Sequence, residues 1–150
     1  ASVSIDGVEF PQVGIRKKGF IGSQNSDRPS LKIKINHVNR EAQIDGLTNL
    51  TFNNNQQDVS LISQFMGYGL FNAAGSPAPR CAYANLTVNG QNLGIYAHVE
   101  RIHRPLLKRS FGNDKGVLYE GTVVDFYSGW VDSFEHKFGS DKKGRKKLET

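Results

Sequence analysis

The residues best suited to chemistry are cations beside one polar loop. Arg16 and Lys18 lie at the end of a predicted strand and lead into Gly19, and residues 20–28 form a loop that contains glycine and serine. Backbone amides in such a loop can cradle a phosphate group, and neighbouring cations add electrostatic attraction. The same composition more commonly marks a flexible surface connection. The pattern therefore leaves two interpretations open, a phosphate-facing loop and a solvated one.

A second pair of cations, Lys32 and Lys34, lies on the next predicted strand. Its residues alternate, with Leu31, Ile33 and Ile35 on one face and both lysines on the other. Two lysines on one strand face are usually solvated, but in a sheet that curls over a cleft one of them can pair with nucleotide phosphates. Because the two lysines share a face, the alternation does not choose between them.

No group of residues predicts a catalytic or metal centre. His98 and His103 are five residues apart with no third candidate ligand nearby, so we expect each to be a satisfied strand or loop histidine. Cys81 is the single cysteine, which excludes an intrachain disulfide and a cysteine-based zinc site. Walker, Gly-x-Ser-x-Gly and paired-carboxylate patterns are missing. We therefore name no catalytic residue and no metal ligand.

The net charge of +5 is unevenly distributed along the 150 residues. Residues 140–150 carry a net charge of +3, which leaves +2 for residues 1–139. We predict one domain over residues 1–139 and a disordered basic tail over residues 140–150. Nucleic-acid binding is unlikely, because aromatic residues are not interleaved with the basic clusters as stacking requires. No apolar run approaches the ~18 residues of a membrane span.

Two elements should position the cations. An apolar stripe at helical spacing predicts a helix over residues 59–73 that packs on the sheet, with Asp58 or Ser60 as its N-cap. The pair Asn89-Gly90 between two apolar runs predicts a tight hairpin that places Tyr83 opposite Tyr96. A second, short helix is predicted over residues 105–110, starting at a proline.

Several motifs, in one order along the chain, resemble the spore-coat protein H (CotH) kinase-like family. The resemblance covers residues 14–119, and none of its motifs is specific alone. They are Gly14-Ile15-Arg16-Lys17-Lys18-Gly19, Pro29-Ser30-Leu31-Lys32-Ile33-Lys34-Ile35, Asn53 with Asp58 and Ser60, Gly75 with Pro79-Arg80, Val88-Asn89-Gly90 with Leu93-Gly94-Ile95-Tyr96, and Gly116-Val117-Leu118-Tyr119.

This resemblance implies an α+β fold: an antiparallel, curled sheet with one packed helix, similar to the N-lobe of a protein kinase, plus a short C-terminal helix or extension. It also implies a nucleotide site. The residues that it assigns to phosphate or adenine contacts are Arg16, Lys18, Gly19, Lys32 or Lys34, and Glu100. ATP and Mg²⁺ are expected cofactors of a full-length protein. The family's catalytic and metal-binding carboxylate motifs have no match after Tyr119.

Two functions follow as expectations. The first is the N-terminal nucleotide-binding lobe of an atypical kinase that phosphorylates spore-coat or secreted proteins. The second is a non-catalytic module that binds a coat or surface protein through the basic segments or through a face bearing Tyr83 and Tyr96. The resemblance implies an extracellular location or the surface of a spore or cell.

Overall fold

The structure is a computed structural model that describes residues 1–24 and 27–148. The chain forms two compact units, residues 1–101 and residues 102–150. Our division into a domain over residues 1–139 and a tail remains a prediction about domain organisation. Within the described ranges, no helix is both long and apolar enough to cross a membrane.

Among its described residues, the first unit contains a five-stranded antiparallel sheet, one α-helix and a short 3-10 helix, Ile35–His37. The sheet has the order β3-β4-β5-β7-β6, and a separate two-stranded ribbon pairs β1 with β2. In chain order the elements are β1 (Val3–Ile5), β2 (Val8–Phe10), β3 (Gly14–Lys17), β4 (Leu31–Lys34), β5 (Asn49–Asn53), α1 (Ser63–Ala73), β6 (Cys81–Val88) and β7 (Gln91–Val99).

The predicted α+β class and the antiparallel pairing are confirmed, whereas the predicted curl is not. No sheet over the described residues is strongly curled. One face of the large sheet forms the hydrophobic core, because apolar side chains alternate along its central strands. The buried residues of this core are Phe10, Val13, Leu31, Ile33, Ile35, Leu50, Phe52 and Tyr96.

The hairpin of β6 and β7 turns where predicted but shifts its register. Asn89 and Gly90 adopt φ angles of 50° and 82°, as a tight hairpin turn requires. The register then shifts between Leu86 and Thr87, and Gly94 takes a φ of 81°. This bulge pairs Tyr83 with Ala97 in place of the predicted Tyr96. The prediction of one face bearing both tyrosines was therefore wrong, and Tyr96 is completely buried in the core.

Helix α1 starts later in the chain than predicted, and it packs less closely against the sheet than predicted. Residues 59–62 do not join the helix, and the Asp58 carboxylate accepts a hydrogen bond from the first helical amide, at Ser63, over 2.8 Å. Phe65 stacks on Tyr83 with ring centroids 5.6 Å apart, but no residue of α1 is buried. Met66 and Leu70 are 62% and 70% exposed. The predicted apolar stripe is thus only partly covered by the sheet.

The second unit contains two α-helices, a short 3-10 helix (Val131–Ser133) and a two-stranded antiparallel sheet among its described residues. The predicted short helix is present, and it ends at Gly112 in the left-handed conformation, with a φ of 74°. The elements are α2 (Arg104–Phe111), β8 (Leu118–Glu120), β9 (Glu135–Phe138) and α3 (Asp141–Leu148).

Helix α3 corrects the prediction of a disordered tail. The guanidinium group of Arg145 donates hydrogen bonds to the carbonyl oxygens of Val131 and Phe134, over 2.6 and 2.7 Å. Its Nε also donates to Asp141 one helical turn earlier, over 3.1 Å. These contacts hold a highly charged segment in place. The final two residues of the predicted tail, 149 and 150, lie outside the described residues.

Candidate functional site

Strands β3 and β4 bring the predicted cations together on the face opposite the core. Arg16 pairs with Lys32 in the register of the two strands, and Lys34 pairs with Gly14. Directly paired residues of an antiparallel sheet project to the same face, so Arg16, Lys32 and Lys34 share one surface. Lys32 is also paired with Thr51 of β5, which extends this surface across the sheet.

Lys32 lies at the centre of this group of cations. Burial lowers the pKa of Lys32, and so do the positive charges of Arg101, Arg16, Lys18 and Lys34, in that order. Every charged group that shifts this pKa is therefore a cation. We call Arg16, Lys18, Lys32, Lys34 and Arg101 the cation cluster. A group of like charges costs free energy until an anion binds it, so the arrangement favours a multiply charged anionic ligand.

Lys18 is held by a short chain of amide groups that ends on helix α1. Its Nζ donates a hydrogen bond to Oδ1 of Asn53 over 2.6 Å, and Nδ2 of Asn53 donates to Oε1 of Gln64 over 2.9 Å. The pKa of Lys18 is lowered, mainly by burial and secondly by Arg16. The helix thus orients a lysine of the site through neutral groups, with no carboxylate in the chain of contacts.

The loop between β3 and β4 has a fixed backbone around Gly19. Gly19 has a φ of 99°, and a Cβ added there would overlap the side chain of Ser23. The amide of Lys18 donates to the carbonyl oxygen of Ser30 over 2.9 Å. The amide of Ser30 donates to the carbonyl oxygen of Ser23 over 2.6 Å. These bonds close the loop at its base, while Phe20 at its tip is 85% exposed.

A buried polar pair anchors this loop to the end of β5. Asn54 and Ser30 are each only 1% exposed, and the Ser30 hydroxyl donates to Oδ1 of Asn54 over 3.0 Å. The Asn54 amide group donates to the carbonyl oxygens of Arg28 and Gly22, over 2.7 and 3.3 Å. Buried polar groups are costly unless they are hydrogen-bonded, so these bonds stabilise the backbone at Gly22, Arg28 and Ser30.

Arg28 ties the same loop to β7. Its guanidinium group donates to the carbonyl oxygens of Leu93 (2.8 Å), Asn54 (2.6 Å) and Ile95, and lies 4.7 Å from the ring centroid of Tyr96. The two β7 carbonyl groups that Arg28 binds, those of Leu93 and Ile95, lie on either side of Gly94 in the bulge. Arg28 therefore acts as a structural link and not as a member of the cation cluster.

Glu100 makes its described contacts at the base of the hairpin. Its Oε2 accepts a hydrogen bond from the amide of Arg80 over 2.9 Å and lies 3.9 Å from Nε of the same residue. The amide of Glu100 in turn donates to the carbonyl oxygen of Arg80 over 2.8 Å. The structure thus gives Glu100 a role in joining the ends of β6 and β7. Its assignment to the adenine contact remains a prediction.

The histidines fit the expectation of satisfied side chains. Nδ1 of His98 lies 3.1 Å from the carbonyl oxygen of Thr51, and the ring packs against Phe52. In the second unit, the ring of His103 packs against Phe138 with centroids 5.0 Å apart. Within residues 1–24 and 27–148, no group of three or more His, Cys, Asp or Glu residues is placed to hold a metal ion.

The structure thus brings together Arg16, Lys18, Lys32 and Lys34, with Gly19 forming the adjoining turn. Sequence reasoning did not link three polar residues to this site: Arg101, which joins the cluster; Asn53, which binds Lys18; and Asn54, which anchors the loop. Asn53 and Asn54 follow the apolar positions Leu50 and Phe52 of β5, but nothing local in the sequence distinguishes a buried asparagine from an exposed one.

Comparisons with known proteins agree with the resemblance read from the motifs. The sequence model of the family described as CotH kinase protein matches residues 15–149. The inner spore coat protein H-like protein of Bacillus subtilis (strain 168) is 39% identical over 75 residues, which are 50% of this chain and 24% of that relative. The aligned part is thus about a quarter of the relative's length. Since the family model matches most of the chain, this protein belongs to the CotH kinase family.

Proposed function

We propose that residues 1–101 form the nucleotide-binding lobe of a CotH-type kinase. The observation that carries the proposal is that β3 and β4 place Arg16, Lys32 and Lys34 on one face of the sheet, where the neighbouring positive charges also lower the pKa of Lys32. A triphosphate is a dense anion that such a surface binds, and phosphoryl transfer depends mainly on positioning and charge stabilisation.

The geometry also supports a choice between the two candidate lysines. Lys32 has Arg16 beside it on β3, and the charges of four cations, Arg16 among them, lower its pKa, whereas Lys34 lies at the strand end opposite Gly14. We propose that Lys32 is the principal phosphate ligand. Gly19, which has a positive φ, directly follows Lys18, and backbone amides of such a turn would add donors to a phosphate site.

The order of elements agrees with this proposal. Three antiparallel strands are followed by one helix and a hairpin, and the second hairpin strand returns to pair with the third strand. The small lobe of a protein kinase has this sequence of elements. In a kinase the helix orients the phosphate-binding lysine through a carboxylate, whereas here the contacts from α1 run through the neutral amides of Gln64 and Asn53 to Lys18.

The described residues do not fit a magnesium site, because no cluster of carboxylates is present among them. We therefore derive no phosphoryl-transfer step for this chain. We propose that a complete protein supplies the metal-binding carboxylates and the catalytic base elsewhere. Its substrate would be a coat or surface protein and its location the spore coat or cell surface, as the name of the Bacillus relative suggests.

Isothermal titration of the 150-residue chain with ATP tests the nucleotide proposal. Lys32→Met should weaken binding at least tenfold, about 1.4 kcal/mol, because it removes a charged ligand of the phosphates. Lys34→Met should weaken it less. Lys17→Met is the matched control, since Lys17 is exposed on β3 and pairs with Leu31 on the opposite face from Arg16. We expect this control to change the affinity by less than about twofold.

Two results would overturn the proposal: no detectable ATP binding by the unaltered chain, or equal losses for Lys17→Met and Lys32→Met. The alternative of a non-catalytic binding module predicts a different pattern. A coat or surface protein would then bind saturably whether or not ATP is present, and Lys32→Met would not alter nucleotide dependence because there would be none.

A further inference from the structure

The second unit contains a cavity of about 620 Å³ that the nucleotide proposal does not use. Its walls come from the start of α2, from residues 114–119 and from residues 139–148. Cavities that hold small molecules in proteins have volumes of roughly 300–1,000 Å³, so this one is of a suitable size.

The charge of the cavity lining is strongly positive. Among the residues that the structure describes, Arg104, Lys115, Lys143 and Lys147 line it together with one carboxylate, that of Asp114. Arg104 is paired with Asp114 over 3.3 Å, so the cations still exceed the carboxylates by three. Neither Lys115 nor Lys143 has an ion pair within the described part of the chain. A concave surface with this excess attracts anions.

The cavity walls are built from close backbone packing, not from mobile side chains alone. A Cβ at Gly144 would overlap the hydroxyl group of Tyr119, and a Cβ at Gly139 would lie 2.6 Å from the carbonyl oxygen of Gly116. The hydroxyl group of Tyr119 also donates to Oδ1 of Asp141 over 2.8 Å. Tyr119 and the glycines therefore hold α3 closely against the segment that precedes and forms β8.

This packing fixes which side of α3 faces the cavity. Arg145 is bound to the carbonyl oxygens of two residues outside the helix, so the helix cannot rotate without breaking these bonds. As a result Lys143 and Lys147, one turn apart, line the cavity, whereas Lys142 and Lys146 do not. The helix separates its lysines into a cavity pair and an outer pair.

We propose that this cavity binds a small ligand with several clustered anionic oxygens, either phosphate or carboxylate groups. A single anionic group would contact only part of this lining, whose cations Arg104, Lys115, Lys143 and Lys147 come from α2, residue 115 and α3. A ligand with several such groups can contact all of them at once. The site is distinct from the cation cluster in the first unit and does not depend on nucleotide binding there.

The test is a two-dimensional ¹H–¹⁵N NMR titration of the full 150-residue chain at about 0.15 M ionic strength, where exposed charges are screened beyond ~8 Å. Tripolyphosphate and citrate serve as probes for the two kinds of anionic group. The amides of Gly116, Gly139 and Gly144 should shift saturably with at least one probe. Gly46 and Gly90, which lie in the first unit, should not shift. Whichever probe binds more tightly identifies the kind of group.

The two lysine pairs of α3 provide matched variants. Lys143→Gln combined with Lys147→Gln should weaken binding at least tenfold, while Lys142→Gln combined with Lys146→Gln should weaken it less than about threefold, since both remove two charges from one helix. Lys143→Arg with Lys147→Arg should retain binding, which separates loss of charge from loss of folding.

Three results would overturn this proposal. The first is the absence of saturable shifts at the three glycines with either probe, and the second is equal weakening by the two glutamine pairs. The third is loss of these shifts in Lys32→Met, because the cavity would then not be independent of the first unit. Failure of ATP binding with intact glycine shifts would count against the nucleotide proposal alone.

Discussion

Asn54 provides the strictest test of how the loop beside the cation cluster is held. Its side chain accepts hydrogen bonds from the Ser30 hydroxyl and the Gln56 amide, over 3.0 and 3.2 Å, and donates to the carbonyl oxygens of Arg28 and Gly22, over 2.7 and 3.3 Å. Asn54→Ala removes all four bonds from a site that is 1% exposed. We expect the variant to lose both stability and loop order.

The magnitude follows from the two shortest bonds. Each contributes a net of about 1 kcal/mol, and the carbonyl oxygen of Arg28 is left with one bond fewer in a buried place, which costs about 1 kcal/mol more. The free energy of unfolding should therefore fall by about 3 kcal/mol. For a small domain the free energy of unfolding falls by about 2 kcal/mol per molar urea. The midpoint of the urea unfolding transition should therefore fall by about 1.5 M.

Because the chain has two compact units, the transition should be followed at residues of the first unit. Urea titrations monitored by the NMR signals of Ile33 and Ala97, both buried, meet this need. Asn85→Ala on exposed β6 is the matched control and should change the free energy of unfolding by less than about 0.5 kcal/mol. A loss below about 1 kcal/mol for Asn54→Ala would refute the assigned role of the buried amide.

Two further predictions concern the same surface. Gly19→Ala should weaken ATP binding at least tenfold because its Cβ overlaps a neighbouring side chain, whereas Gly46→Ala, also at positive φ but with no atom within 4 Å, should only lower stability by about 1 kcal/mol. Equal effects of the two variants on ATP affinity in titration calorimetry would contradict the loop assignment. Lys18 has a lowered pKa in the folded chain, so the unfolded chain binds more protons just below pH 10.5 and stability should rise with pH there. Lys18→Met should flatten that rise in urea unfolding measured from pH 7 to pH 10.5, and an unchanged slope would show that Lys18 is not its source.

Local patterns in the sequence predicted the features that depend on one strand or one turn. The alternation of apolar and polar residues predicted that Lys32 and Lys34 share one face of β4, because the apolar residues that alternate with them are buried on the opposite face. The pair Asn89-Gly90 predicted the turn because few residues tolerate positive φ. Both inferences need only a few consecutive residues.

Features that depend on distant contacts were not predictable in this way. The shifted register of the hairpin depends on Gly94, which a sequence reading does not distinguish from any other glycine in a strand. Lys18 and Asn53 are 35 residues apart, and only the pairing of the strands between them brings their side chains into contact. Arg145 holds a highly charged helix in place by binding two backbone carbonyl groups, and amino-acid composition does not predict which carbonyl groups an arginine binds.

The shallow packing of helix α1 has a consequence for local opening of the fold. None of its residues is buried, and a Cβ at Gly67 or Gly69 would meet no atom within 4 Å, so little apolar contact opposes unwinding. We expect amide hydrogens of α1 to exchange with solvent much faster than those of β7 around the buried Tyr96. Since Gln64 lies in this helix, each opening breaks its bond to Asn53, the residue that holds Lys18, while the sheet stays folded.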